Sequence, residues 1–222
     1  MNGDPSGTGS RAALPLLAIY ADESCLGNGR EGSNPGGAAG VIEYVDRTGS
    51  LTRSDYWVSE PATTNNRMAL RSAIEAFRAI SRKGVRFRVV FTSDSQYLVK
   101  GMSEWVYGWM SRGWKRKEGP ILNLELWMEA VDAVRAGGHQ VDWRWVRGHE
   151  GHPQNEYANH LATRAAREQT QSDGVVASKF DEWLAVEREK GRVTVEPQTF
   201  PTDESFRPSR PYPVVSRPSS VT

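Results

Sequence analysis

Apolar residues along this chain fall in runs whose period changes, and each change marks an element. Residues 16–21 form a short apolar run ending on Asp22, the pattern of a strand buried on both faces. A Gly- and Asn-rich connection spans 27–37, and residues 40–44 and 50–59 then read as two more strands, the second alternating at Tyr56 and Val58. Antiparallel pairing of these three is expected. The period then becomes helical over 64–81, with Met68, Ala73, Ile74, Phe77 and Ile80 on one face, and Gly84 ends the helix. A strand over 85–91 runs into Ser93-Asp94. A helical stretch carrying Leu98, Trp105, Val106 and Trp109 follows, then a basic aromatic segment from Arg112 to Lys117. A helix over 121–136 is predicted to bury Leu122, Leu126, Trp127, Ala130 and Val134. A strand covers 141–146, and Pro153 opens a last helix through Leu161, Ala162 and Ala165.

This order predicts an α/β fold, a mixed sheet covered by helices. Residues 1–12 read as a disordered lead-in, 13–169 as the folded domain, and 170–222 as a C-terminal extension. Within the extension, 178–189 suits a short amphipathic helix through Phe180, Trp183, Leu184 and Val186. The Pro/Ser/Thr-rich tail from Pro197 is expected to be disordered or extended.

Composition narrows the function only by exclusion. A single cysteine, Cys25, rules out an internal disulfide and a cysteine-rich zinc site. No apolar run approaches the ~20 residues that cross a bilayer, so a cytoplasmic protein without membrane contact is expected, and a monomer. The formal net charge of +1 gives no general pull on nucleic acid. Any such contact has to come from a local patch.

Two acids carry the first chemical signal. Asp22 and Asp94 each follow a strand, and ligand sites in α/β sheets form at the carboxyl ends of parallel strands. Carboxylates gathered there need a counter-cation, and oxygen donors favour Mg2+ or Mn2+. The alternative use of each Asp is to cap a turn or helix.

Five blocks, in order, extend this. The stretch from Ile19 to Asn28 resembles the first-strand motif of type 1 ribonuclease H, and Thr63-Thr64-Asn65-Asn66-Arg67-Met68 resembles that family's helix-opening motif. Thr92-Ser93-Asp94-Ser95-Gln96-Tyr97 is similar to its third motif. Trp105, Trp109 and Arg112-Gly113-Trp114-Lys115 look like its basic protrusion, and the segment from Val146 to Glu156 looks like the loop before its last helix. The resemblance implies a five-stranded mixed sheet with helices on both faces. It also implies hydrolysis of the RNA strand of RNA–DNA hybrids by two divalent ions, leaving 5′-phosphates. His149 would shuttle protons or help product leave. Asn28, Asn65, Asn66 and Gln96 would read ribose hydroxyls and base edges. Trp105 and Trp109 would line the DNA channel, Thr64 with Asn123 would grip a DNA phosphate, and Arg112, Trp114 and Lys115 would complete the substrate surface.

The acids depart from the family set of Asp, Glu, Asp, Asp. Asp22 and Asp94 match the first and third, but Ala69 stands where the Glu belongs and Asn159 where the last Asp belongs. Glu23 occupies a place where the family has Gly, which resembles the Asp-Glu pair of type 2 ribonuclease H. The site therefore reads Asp22, Glu23, Asp94, Asn159. Neighbours on a strand point to opposite faces, so this requires the strand to end or bend at Asp22. A catalytically impaired hybrid-binding protein is the alternative, and an interaction module working through the tail is a third reading.

Overall fold

The computed structural model describes residues 13–27, 34–148 and 152–215. Three long strands open the fold: β1 (Leu16–Cys25), β2 (Gly36–Val45) and β3 (Leu51–Glu60). Helix α1 (Asn65–Ser81) and strand β4 (Arg88–Ser93) follow. Next come α2 (Gln96–Lys100), a π-helical turn (Gly101–Trp105) and α3 (Val106–Ser111). After them lie α4 (Leu124–Gly137), β5 (Gln140–Trp145) and α5 (Pro153–Glu168). The extension adds β6 (Val176–Ala177) and α6 (Phe180–Glu189). The sheet order is β5-β4-β1-β2-β3-β6. Pairing is antiparallel through β1, β2, β3 and β6, and parallel between β1 and β4 and between β4 and β5.

The expected five strands are all present. The sixth, β6, is a two-residue addition that pairs with β3 at Ser54 and Asp55. Two residues give too little pattern to be read from sequence.

Side chains alternate across β1 and decide which helices it meets. Leu17, Ile19 and Ala21 enter a core with α1 and α4, which includes Ala69, Phe77 and Trp127. Ala18 and Tyr20 enter a second core with α5 and α6, which includes Tyr157, Leu161 and Phe180. Burial of a side chain such as Phe77 or Phe91, both fully enclosed, stabilises the fold by about 2–3 kcal/mol each. Helix α1 starts where expected because the Thr64 side chain accepts from Arg67 N–H. Helix α4 starts later than expected. Asn123 takes a left-handed backbone (φ 57°), so Leu122 precedes the helix and is 71% exposed.

From Pro197 to Val215 the tail is extended apart from one helical turn at Asp203–Ser205, and it is packed. Gln198 N–H donates to Gln154 Oε1 while Gln154 Nε2 donates to Gln198 C=O, at 3.0 and 2.9 Å. Phe206 packs with Leu16 and Val90. Arg207 N–H reaches Asp142 Oδ2, and Ser209 N–H donates to Val141 C=O on β5.

Candidate active site

Strand β1 does not end at Asp22. It keeps its register with β2 through Asp22–Ala39, Glu23–Ala38 and on to Cys25–Gly36. On its other side, β4 stops pairing at Ser93, opposite Ala21. β1 therefore outruns β4, and the backbone edge beyond Ala21 is open on that side. The chain leaving β4 turns at Asp94 into this space. Asp22 continues the row facing α5 and Glu23 the row facing α1, yet both reach the open edge. One carboxylate oxygen from each of Asp22, Glu23 and Asp94 lies within 4.8 Å of the others. The expected strand break is replaced by a difference in strand length.

Neighbouring groups hold these carboxylates. Asp22 is 4% exposed; its Oδ1 accepts from Glu23 N–H at 2.7 Å and its Oδ2 from Asn155 Nδ2 at 2.9 Å. Burial, then the Asp94 charge, raise the Asp22 pKa, and the bonds from Glu23 N–H and Asn155 oppose the shift. Glu23 is raised well above the ordinary carboxylate range by burial, then by Asp22 and Asp94, while the Ser95 hydroxyl opposes this. Ser95 also caps α2, so the turn that places Asp94 supports Glu23 as well. Gly148, leaving β5, lies so close to Asp94 that a methyl group there would overlap Asp94 Oδ2.

Three acids this close repel one another unless protonated or bridged by a cation. The donors are all oxygen, which suits a hard divalent ion. Asn155 Oδ1 is buried without a hydrogen-bond partner, adding a free acceptor beside Asp22. The residues present fit a divalent cation.

The other expected residues separate into groups. Asn159 lies one helical turn beyond Asn155 on the same face of α5, and its Oδ1 accepts from Thr163 Oγ1 at 3.1 Å. Asn65 and Asn66 begin α1, Gln96 begins α2, and Asn66 and Gln96 are exposed. Asn123 accepts from Arg67 at 3.4 Å, which ties it to the helix that Thr64 caps. Trp105 and Trp109 have ring centroids 6.0 Å apart and share a groove with Arg112 and Arg116. Arg112 and Lys115 are exposed. Trp114 differs from expectation: it is 6% exposed and belongs to the core, turned inward by its left-handed backbone (φ 62°). Asn28 and His149 lie outside the described residues.

Sequence reasoning passed over Asn155, Ser95 and Gly148. Asn155 carried a usable signal, because it sits four residues before Asn159 and helical periodicity puts both on one face.

The RNase H family profile matches residues 15–167. Ribonuclease HI of Caulobacter vibrioides is 43% identical over 155 residues, 69% of this chain and 95% of its own. Ribonuclease H of Methylococcus capsulatus is 42% identical over 164 residues, 73% of this chain and 97% of its own. The crystal structure of LC9-RNase H1, described as a type 1 RNase H with the type 2 active-site motif, is similar with TM-score 0.85 and 62% identity. It covers 95% of this chain and 100% of its own. The PFV RNase H domain shares the fold at TM-score 0.57 and 17% identity, over 70% of this chain and 97% of its own.

Proposed function

This chain belongs to the RNase H family and is an RNA–DNA hybrid endoribonuclease, and we propose that it cuts from a rearranged carboxylate set, Asp22, Glu23 and Asp94. The observation that carries the proposal is the meeting of these three carboxylates within 4.8 Å at the open edge of β1. Glu23 supplies the charge that Ala69 lacks, which favours catalysis over hybrid binding alone. The description of LC9-RNase H1 as a type 1 enzyme with a type 2 motif supports the same reading.

Asp22, Glu23 and Asp94 would hold paired Mg2+ or Mn2+, with Asn155 or Asn159 offering a neutral oxygen. When bound, such ions activate water and stabilise the leaving 3′ oxygen, which yields 5′-phosphate ends. Asn155 orients Asp22 and favours its charged form, as Ser95 does for Glu23. Asn65, Asn66 and Gln96 would read the RNA strand from the starts of α1 and α2, and His149 would assist proton transfer or product release. Trp105, Trp109, Arg112 and Lys115 would receive the DNA strand, with Thr64 and Asn123 at a phosphate. The enzyme would work as a cytoplasmic monomer.

The test is cleavage of end-labelled RNA–DNA hybrid, RNA duplex and DNA duplex, with Mg2+, with Mn2+ and with EDTA. Metal-dependent cutting confined to the hybrid, with 5′-phosphate products, is expected. A chain that binds hybrid but cuts it with neither metal overturns the catalytic reading.

A further inference from the structure

The extension lies beyond the residues matched by the RNase H profile. We propose that its Arg210–Tyr212 stretch is a brace behind α3, and that Tyr212 is a positioning residue setting how tightly the hybrid is gripped. This rests on the reading above, in which Trp105 and Trp109 face the substrate.

Trp105 and Trp109 are four residues apart and share one side of the helical segment, whereas Tyr107 points to the other. Tyr107 is 5% exposed, and its neighbours there come from the tail. Tyr212 stacks on its ring with centroids 5.1 Å apart, and the Arg210 guanidinium lies 4.1 Å from its centroid. The Tyr107 hydroxyl donates to Arg210 C=O. The Tyr212 hydroxyl in turn donates to Met102 C=O at 2.9 Å. Met102 belongs to the π-helical turn that carries Trp105.

Both ends of the brace are fixed. On one side Ser209 N–H is bonded to Val141 C=O and Arg207 N–H to Asp142 Oδ2, which ties the segment to β5. On the other side it grips a six-residue helix and a π turn. These are consecutive parts of one helical run over 96–111, which the π turn interrupts; such bulges are rare, and a helix this short depends on tertiary packing. The tail thus transmits the rigidity of the sheet edge to the back of the tryptophan-bearing helix.

The test uses the full chain with Tyr212→Ala and Tyr212→Phe. In Tyr212→Ala, KM for hybrid cleavage and Kd for labelled hybrid in EDTA rise about tenfold while kcat stays within about twofold, the signature of lost uniform binding. Tyr212→Phe keeps the stacked ring but loses the bond to Met102, and shows a smaller rise in both. Hydrogen exchange quickens at residues 101–111 and not in β1. Unchanged KM and Kd, a fall in kcat alone, or exchange that rises equally in β1 overturns the brace. If Tyr212→Ala does not fold, Tyr212→Phe decides on the same readouts. A parent that neither cuts nor binds hybrid sinks the functional reading and the brace together. A competent parent with an unaltered variant sinks the brace alone.

Discussion

Asn155 Nδ2 donates to Asp22 Oδ2 across 2.9 Å, joining the first turn of α5 to the end of the apolar run in β1. The bond favours the charged carboxylate and fixes which way it faces. Asn155→Ala is expected to raise the Mg2+ concentration giving half-maximal hybrid cleavage by about 10- to 100-fold, the usual cost of losing a group that orients a metal ligand. A metal titration of the cleavage rate checks this.

Glu23→Gln keeps the shape of the side chain and removes its charge. If Glu23 replaces the acid missing at Ala69, cleavage at saturating hybrid falls by about 100- to 1,000-fold. Hybrid affinity in EDTA stays near the parent value. Steady-state kinetics and anisotropy together separate the two effects, and a variant that cuts normally removes Glu23 from the site.

Asn159→Asp adds a fourth negative charge on the face of α5 shared with Asn155. The Mg2+ requirement is expected to fall below that of the parent. The same metal titration measures it, and an unchanged requirement leaves Asn159 as a partner of Thr163 only.

Gly148→Ala places a methyl group against Asp94 Oδ2. Relief requires Asp94 or the β5–α5 connection to move. Cleavage should drop, with a stability loss of about 1–3 kcal/mol, the range for overpacking a close contact. Urea unfolding and hybrid cleavage on the same preparation report both.

His139 gives a stability prediction away from the acids. Phe87 N–H donates to its Nδ1 at 3.1 Å, and Ser81 Oγ, which itself donates to Phe77 C=O, lies 3.0 Å from Nε2. The ring is therefore neutral, with its proton on Nε2. Burial, then the Arg86 charge, hold its pKa down from 6.5 to about 4. The unfolded chain takes up this proton first, so the His139 contribution is complete above pH 6.5 and is lost as pH falls toward about 4. Urea midpoints across that window should decline with acidity, and the decline should flatten in His139→Gln.

Most of the sheet could be read from pattern because its central strands are buried on both faces and carry unbroken apolar runs. The helix at 64–81 was legible from its period and from Gly84 beyond its end. Strand length was less so. Nothing apolar distinguishes Asp22 to Cys25 from a loop, and only pairing with Gly36 to Ala39 makes them strand. The meeting of Asp22, Glu23 and Asp94 in space was readable because their blocks keep a known order. Ser95 escaped because its work depends on which neighbour the fold delivers, whereas Asn155 was within reach of the helical periodicity that links it to Asn159. The inward turn of Trp114 depends on a backbone conformation that its neighbours do not announce. The packed tail was hidden by its composition, since Phe206 and Tyr212 sit alone among Pro, Ser and Arg.

Both margins of the five-strand body β5-β4-β1-β2-β3 are partly covered by the C-terminal extension, β3 by β6 at Ser54 and Asp55 and β5 by Ser209 at Val141. A ribosome makes residues 176–209 after every strand they shield. The growing chain therefore passes through a stage in which two rows of unpaired amides and carbonyls face solvent, the kind of rim that recruits other chains. The extension caps a stretch of each rim, at Ser54 and Asp55 and at Val141, so premature termination or proteolysis within it would leave a folded body more prone to self-association.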